Sequence, residues 1–140
     1  MTLERALEIA LLWLLPVWTG LSGIYAFLGH TFAADQVAAY IGWPAGSPFQ
    51  FEVAVANLAL GVLGICCIWI RGNFWTATVV AGAVFGWGAA CVHIRDITLK
   101  HNLSSGNAGP ALIFDIAAPV VLIILLTAYE KVKRKRKIIY

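Results

Sequence analysis

Charge is scarce in this sequence. Only 12% of its 140 residues are Asp, Glu, Lys or Arg, while 61% are hydrophobic. A soluble domain carries roughly twice that charged share and is nearer half apolar, so a soluble enzyme is excluded. With about 20 apolar residues needed per crossing, there is room for about four membrane spans and little else. The mean hydropathy of +0.83 agrees. Lys and Arg are missing altogether between Thr31 and Pro48. Cysteine is sparse and unpatterned: Cys66 and Cys67 adjoin, Cys91 stands alone, and no C-x-x-C occurs. Neither a disulfide framework nor a thiol redox pair is indicated, and all three read as small packing residues. H-x-x-x-H and E-x-x-H are also absent. Those spacings set two metal ligands on one helix face.

What remains is apolar runs broken by turns. The runs cover residues 6–28, 49–70, 74–94 and 110–129, and a basic tail follows at 130–140. The first is too long for the apolar core of a signal peptide and no small-x-small site follows it, so it reads as an uncleaved span. Pro16 is expected to kink it, and Gly20 and Gly23 to admit a close helix. Asp35–Tyr40 reads as a short helix ended by Gly42. Gly61 and Gly64 punctuate the second run, and the third is rich in Gly and Ala, which suits close packing in lipid. Pro110 suits the first turn of the fourth. Trp69 and Trp75 fit an interfacial aromatic belt.

The expected fold is therefore all-α: an integral membrane four-helix bundle in a single transmembrane domain. Arg5, Arg71 and the basic residues Lys131 to Lys137 lie on one side, against Arg95 and Lys100 on the other. That asymmetry makes both termini cytoplasmic in a multi-pass protein of the cell (inner) membrane. The basic tail then meets anionic lipid at the bilayer surface and calls for no nucleic acid.

Depth orders the polar residues. His30 ends the first run, Glu52 and Asn57 open the second, His93 ends the third, and Asp115 opens the fourth. All fall at the outer side, while the inner half has almost none. A carboxylate inside an apolar run is costly and calls for a partner or a role. The expectation is an outward-facing pocket built from His30, Trp43, Gln50, Glu52, Asn57, Trp87, His93, Asn107 and Asp115. Glu52 and Asp115 face one another in it, Trp43 lies over it as a lid, and Trp87 lines its wall. Two imidazoles and two carboxylates also make a divalent metal set, His30, Glu52, His93 and Asp115. A plainer reading stands beside it. Glu52 caps the start of its helix, Asp115 hydrogen-bonds Asn57 or Trp43, and both histidines are interfacial.

The stretches Tyr40-Ile41-Gly42-Trp43-Pro44 and Gly46-Ser47-Pro48-Phe49-Gln50-Phe51-Glu52 resemble a family of small uncharacterised bacterial and archaeal four-helix membrane proteins. Asn57, Gly61, Gly72-Asn73-Phe74-Trp75, His93, Gly106-Asn107-Ala108-Gly109 and Asp115 extend the likeness over nearly the whole chain after Gly29. That family has no assigned activity, so the resemblance implies no catalytic residue. More distantly the chain looks like DoxX-type four-helix membrane proteins, some linked to quinone-coupled sulfur oxidation. Two function classes follow. The first is a binding or accessory subunit, in a homo-oligomer or larger membrane complex, whose pocket holds a small ligand or ion. The second is a membrane redox enzyme using a quinone or a metal.

Overall fold

In the computed structural model, residues 1–139 are described, with side chains as far as Arg136. Four long helices are apolar enough to cross a membrane: α1 (Leu3–Phe32), α3 (Phe49–Cys66), α4 (Asn73–Lys100) and α5 (Pro110–Ile139). A short α2 (Ala34–Ile41) lies between the first two. Thr2 starts α1 by accepting from Arg5 N–H at 3.3 Å, a side-chain cap on an otherwise unpaired first-turn donor. Among the described residues there are no strands.

Proline acts in α1 as expected, in a particular form. Pro16 lacks the N–H that continues an α-helix. From Leu15 to Leu21 the helix widens into π-register, with Ser22 N–H reaching Val17 O five residues back. This turns Gly20 and Gly23 onto α3, where they meet Gly64 and Gly61 backbone to backbone. The α1–α3 pair is the most intimate in the bundle, α4 and α5 form the second pair, and α3 touches α4 only lightly.

The packed core lies toward the end that carries the termini. Leu11, Leu15, Cys67 and Trp75 are fully buried there, with Val79, Leu122, Leu126 and Tyr129 around them. Trp75 is not an interfacial belt residue. Its ring packs on Tyr129 at 5.7 Å and its indole N–H donates to Cys67 O at 2.9 Å, so both its apolar body and its polar handle are satisfied inside. Trp69 does remain exposed. At this end Glu8 pairs with Arg5 and with Arg71 in the α3–α4 turn, and Glu4 pairs with Arg136 of α5. Exposed pairs of this kind are each worth at most about 1 kcal/mol. Their use is to fix which helix ends meet.

Two bounds differ from the sequence reading with a physical cause. The third span does not stop near Ile94. It runs on to Lys100, where the i,i+4 pair Asp96–Lys100 closes at 2.8 Å and supports another turn of helix. The basic tail is a continuation of α5, since no Gly or Pro interrupts Ala128 to Ile139. Lys133 folds back over the Tyr129 ring at 5.3 Å.

Candidate functional site

The end of the bundle opposite the termini is held by polar groups. Gly42 stops α2 in the left-handed conformation, φ 79°, a conformation that costs glycine nothing. A Cβ there would strike Ser104 and Asn102. The chain turns at this point, and Trp43 is delivered onto the end of α4. Its ring stacks on His93 at 5.8 Å and 18° between planes, and its indole N–H donates to Asp96 at 2.6 Å. His93 and Asp96 are three apart, so they share a helix face. Asp96 also accepts Lys100 and is buried.

The loop between α4 and α5 closes over the same place. Asn102 donates to Ile41 O at 2.9 Å, and Gly106 N–H donates to Tyr40 O at 3.1 Å. Asn107 is fully buried. Its amide nitrogen donates to Asn102 O at 2.8 Å and His93 O at 3.3 Å, so its Oδ1, an acceptor, is the atom 2.8 Å from His93 Nδ1. Two carbonyls fix the amide's orientation, and the amide oxygen fixes the proton on Nδ1. The other ring nitrogen, Nε2, is left facing Asp115, whose Oδ2 lies 3.9 Å away.

Asp115 sits on the wall of a cavity of about 90 Å³ framed by all four long helices, with Trp18, Ser22, Asn57, Gly86 and Pro119 among the lining residues. Proline at 119 has no N–H, so the Asp115 carbonyl has no helical donor. That carbonyl faces Gly86, where an added Cβ would lie 3.1 Å from it. Asn57 donates its amide nitrogen back to Val53 O at 2.9 Å. Leu122 and Val79 close the cavity toward the packed core. A second cavity of about 100 Å³ is lined by Trp43 with His30, Ile41, Phe49, Gln50 and Val53. There Gln50 donates to Ala34 O at 2.7 Å and stands 3.3 Å from His30 Nδ1.

The nine residues expected in one pocket thus divide. Trp43, His93, Asn107 and Asp115 come together, and Asn57 shares the Asp115 cavity. His30 and Gln50 line the second cavity together with Trp43. Glu52 and Trp87 belong to neither. Glu52 is exposed and makes no hydrogen bond or ion pair among the described residues. Trp87 is 42% exposed on the perimeter. Helix phase explains both corrections. Gln50, Ala54, Asn57, Gly61 and Gly64 trace the inward face of α3, and position 52 lies about 200° round from position 50 at 3.6 residues per turn. On α4 the inward face runs through Gly86, Ala90 and His93, leaving Trp87 about 100° off it. Glu52 therefore does not face Asp115.

The metal set fails for the same reason. Among the described residues no three His, Cys, Asp or Glu side chains converge, so His30, Glu52, His93 and Asp115 do not form a ligand shell. Nor does Asp115 bond Trp43, whose partner is Asp96. Asp96, Lys100 and Asn102 are not among the site residues expected from the sequence; they fall between the third and fourth apolar runs, where a loop is expected. The i,i+3 and i,i+4 spacing from His93 through Asp96 to Lys100 was the signal.

No curated protein and no solved structure matches the chain. Residues 1–135 match DUF6790, a family of unknown function, and the chain belongs to that family.

Proposed function

We propose that this is an inner-membrane binding or accessory subunit, whose outward-facing site holds a small polar ligand or ion beside Asp115. One observation carries the reading. Among the described residues, a half-buried carboxylate on a membrane-depth cavity has no partner closer than His93 Nε2 at 3.9 Å, beyond hydrogen-bond reach. Such a group is expensive unless something neutralises it. The apolar core beneath supplies no polar path onward, which favours binding over conduction.

The proposed orientation puts both termini in the cytoplasm. Arg5, Arg71 and the basic end of α5 then lie inside, and of the two cations at the other end, Arg95 and Lys100, the second is paired with Asp96. Cysteines placed at the exposed positions Ser47 and Ser105 should react with an impermeant thiol reagent in intact cells. Reaction only after lysis would reverse the orientation. Assembly as a homo-oligomer or within a larger complex is part of the proposal. Its support is the uncovered small-residue surface of α4, where Gly88 has no neighbouring atom within 4 Å.

The competing class, a quinone- or metal-dependent redox enzyme of DoxX type, has less support, since the donors expected to hold a metal do not converge. The deciding experiment is a thermal-shift screen of the protein in nanodiscs against ions and small polar molecules, run in parallel on Asp115→Asn. A ligand at a hundred times its Kd adds about 2.7 kcal/mol of stability, a rise of several degrees. A rise that vanishes in Asp115→Asn is expected. If no compound distinguishes the two proteins, the site is not a binding site.

A further inference from the structure

We propose that the ligand of the Asp115 cavity is a small organic ammonium cation. This rests on the binding reading above and narrows it to one chemical class. The one charged group on the cavity wall is a carboxylate, and further acceptors stand beside it. Asp115 contributes its carboxylate and a backbone carbonyl that Pro119 leaves without a donor. Asn57 has one amide N–H engaged on Val53 O, which leaves its oxygen and one N–H open. Ser22 has its hydroxyl proton engaged on Trp18 O, so its lone pairs remain. No Lys or Arg lines the cavity, and the nearby Lys100 and His93 Nδ1 are engaged on Asp96 and Asn107. A cavity with a surplus of acceptors and one carboxylate takes a cation that brings its own N–H groups.

Size and wall chemistry select among cations. The space, about 90 Å³, is somewhat over half the roughly 150 Å³ of an apolar cavity that holds benzene, which admits about three to five heavy atoms. Calcium or magnesium wants six or more oxygen ligands around it. A zinc-type set would need several His, Cys or carboxylate ligands, and no such set converges among the described residues. Here the walls are mostly Trp18, Phe85, Phe114, Leu60 and Leu122. Trp18 and Phe114 meet edge to face at 6.0 Å. Aromatic walls beside a carboxylate suit an alkylammonium, whose head takes the acceptors while its carbon body and charge lie against the rings.

The probe is n-propylammonium, titrated calorimetrically into the full-length protein in nanodiscs, with sodium, potassium and neutral 1-propanol as comparisons. Saturable one-to-one binding of propylammonium is expected. Asp115→Asn, which keeps the shape and removes the charge, should weaken it about 10- to 100-fold, the factor for one hydrogen bond to a charged group. Asn57→Leu removes an acceptor without touching the charge and should weaken it about tenfold. Glu52→Gln, on the opposite face of α3, should leave the affinity unchanged. Propylammonium that fails to bind, or binds Asp115→Asn and Asn57→Leu as tightly as wild type, overturns the proposal. If 1-propanol or an alkali ion instead binds in an Asp115-dependent way, the ammonium inference falls and the binding reading stands. If none of the probes does so and the broader screen is also silent, both fall.

Discussion

Gly64→Val is expected to break the α1–α3 pair and to lower stability by about 3 kcal/mol or more, the upper range for forced overpacking. A Cβ at 64 would collide with the Gly20 backbone nitrogen and would lie 2.7 Å from Gly20 Cα and 2.8 Å from the Thr19 carbonyl carbon. Those are main-chain atoms and cannot swing aside as a side chain can. The contact is also reciprocal, because a Cβ at Gly23 would lie 2.9 Å from Gly61 N and one at Gly61 would lie 3.0 Å from Ile24 N. Relieving one clash by sliding the helices would worsen the others. In lipid no hydrophobic force would restore the pair once its close packing is lost. Gly88→Ala is the matched control. Nothing lies within 4 Å of its Cβ position, and alanine is the better helix former by up to about 1 kcal/mol. The measurement is the unfolding midpoint in dodecyl maltoside on titration with SDS. A Gly64→Val midpoint equal to wild type would show that α1 and α3 do not meet through these glycines.

The residues that made this interface were readable because their reason is local. Gly20, Gly23, Gly61 and Gly64 announce close approach by type and spacing alone, and the four apolar runs announce length enough to span. The short α2 was equally open to reading, since Gly42 stops it with φ 79°. What could not be read was rotation. Glu52 and Gln50 are two residues apart and look equivalent in depth, yet they differ by about 200° in azimuth. Only the glycine stripe, used as a marker of the inward face, separates them. Applying that stripe would have sent Glu52 outward and brought Gln50 and Asn57 in. Trp87 fails likewise beside Gly86.

The end of α4 was hidden for a different reason. Hydropathy falls at Arg95, so a span defined by hydropathy stops there, but the helix is held by Asp96–Lys100 and by Trp43 from a distant loop. No composition signal reports a tertiary hydrogen bond made 53 residues away. The Pro119 effect sits between these cases. The loss of a donor for the Asp115 carbonyl follows from the sequence, whereas its position opposite Gly86 does not.

Asn107→Leu should be the most damaging single change in the polar cap, because two groups depend on that one amide. They are the buried His93 ring N–H and the part-buried carbonyl of Asn102, while the His93 carbonyl keeps its helical donor. Each buried polar group left unpaired costs about 1–3 kcal/mol. Loosening of the loop over residues 101–109 would rehydrate part of the set, so the expected loss is about 2–4 kcal/mol. Asn107→Asp separates the roles. It keeps an acceptor for His93 Nδ1 but turns an oxygen toward two carbonyls, so the ring should stay oriented while the loop is weakened. The ring itself gives the sharper readout. With the amide in place, ¹⁵N spectra of histidine-labelled protein in lipid should show His93 protonated at Nδ1. In Asn107→Leu the preference for Nδ1 should disappear, and propylammonium affinity should fall even where the protein remains folded, because His93 Nε2 no longer faces Asp115 in a fixed state. A wild-type spectrum with the proton on Nε2 alone would mean that the Asn107 amide is turned the other way, and the link from the loop to Asp115 would be lost.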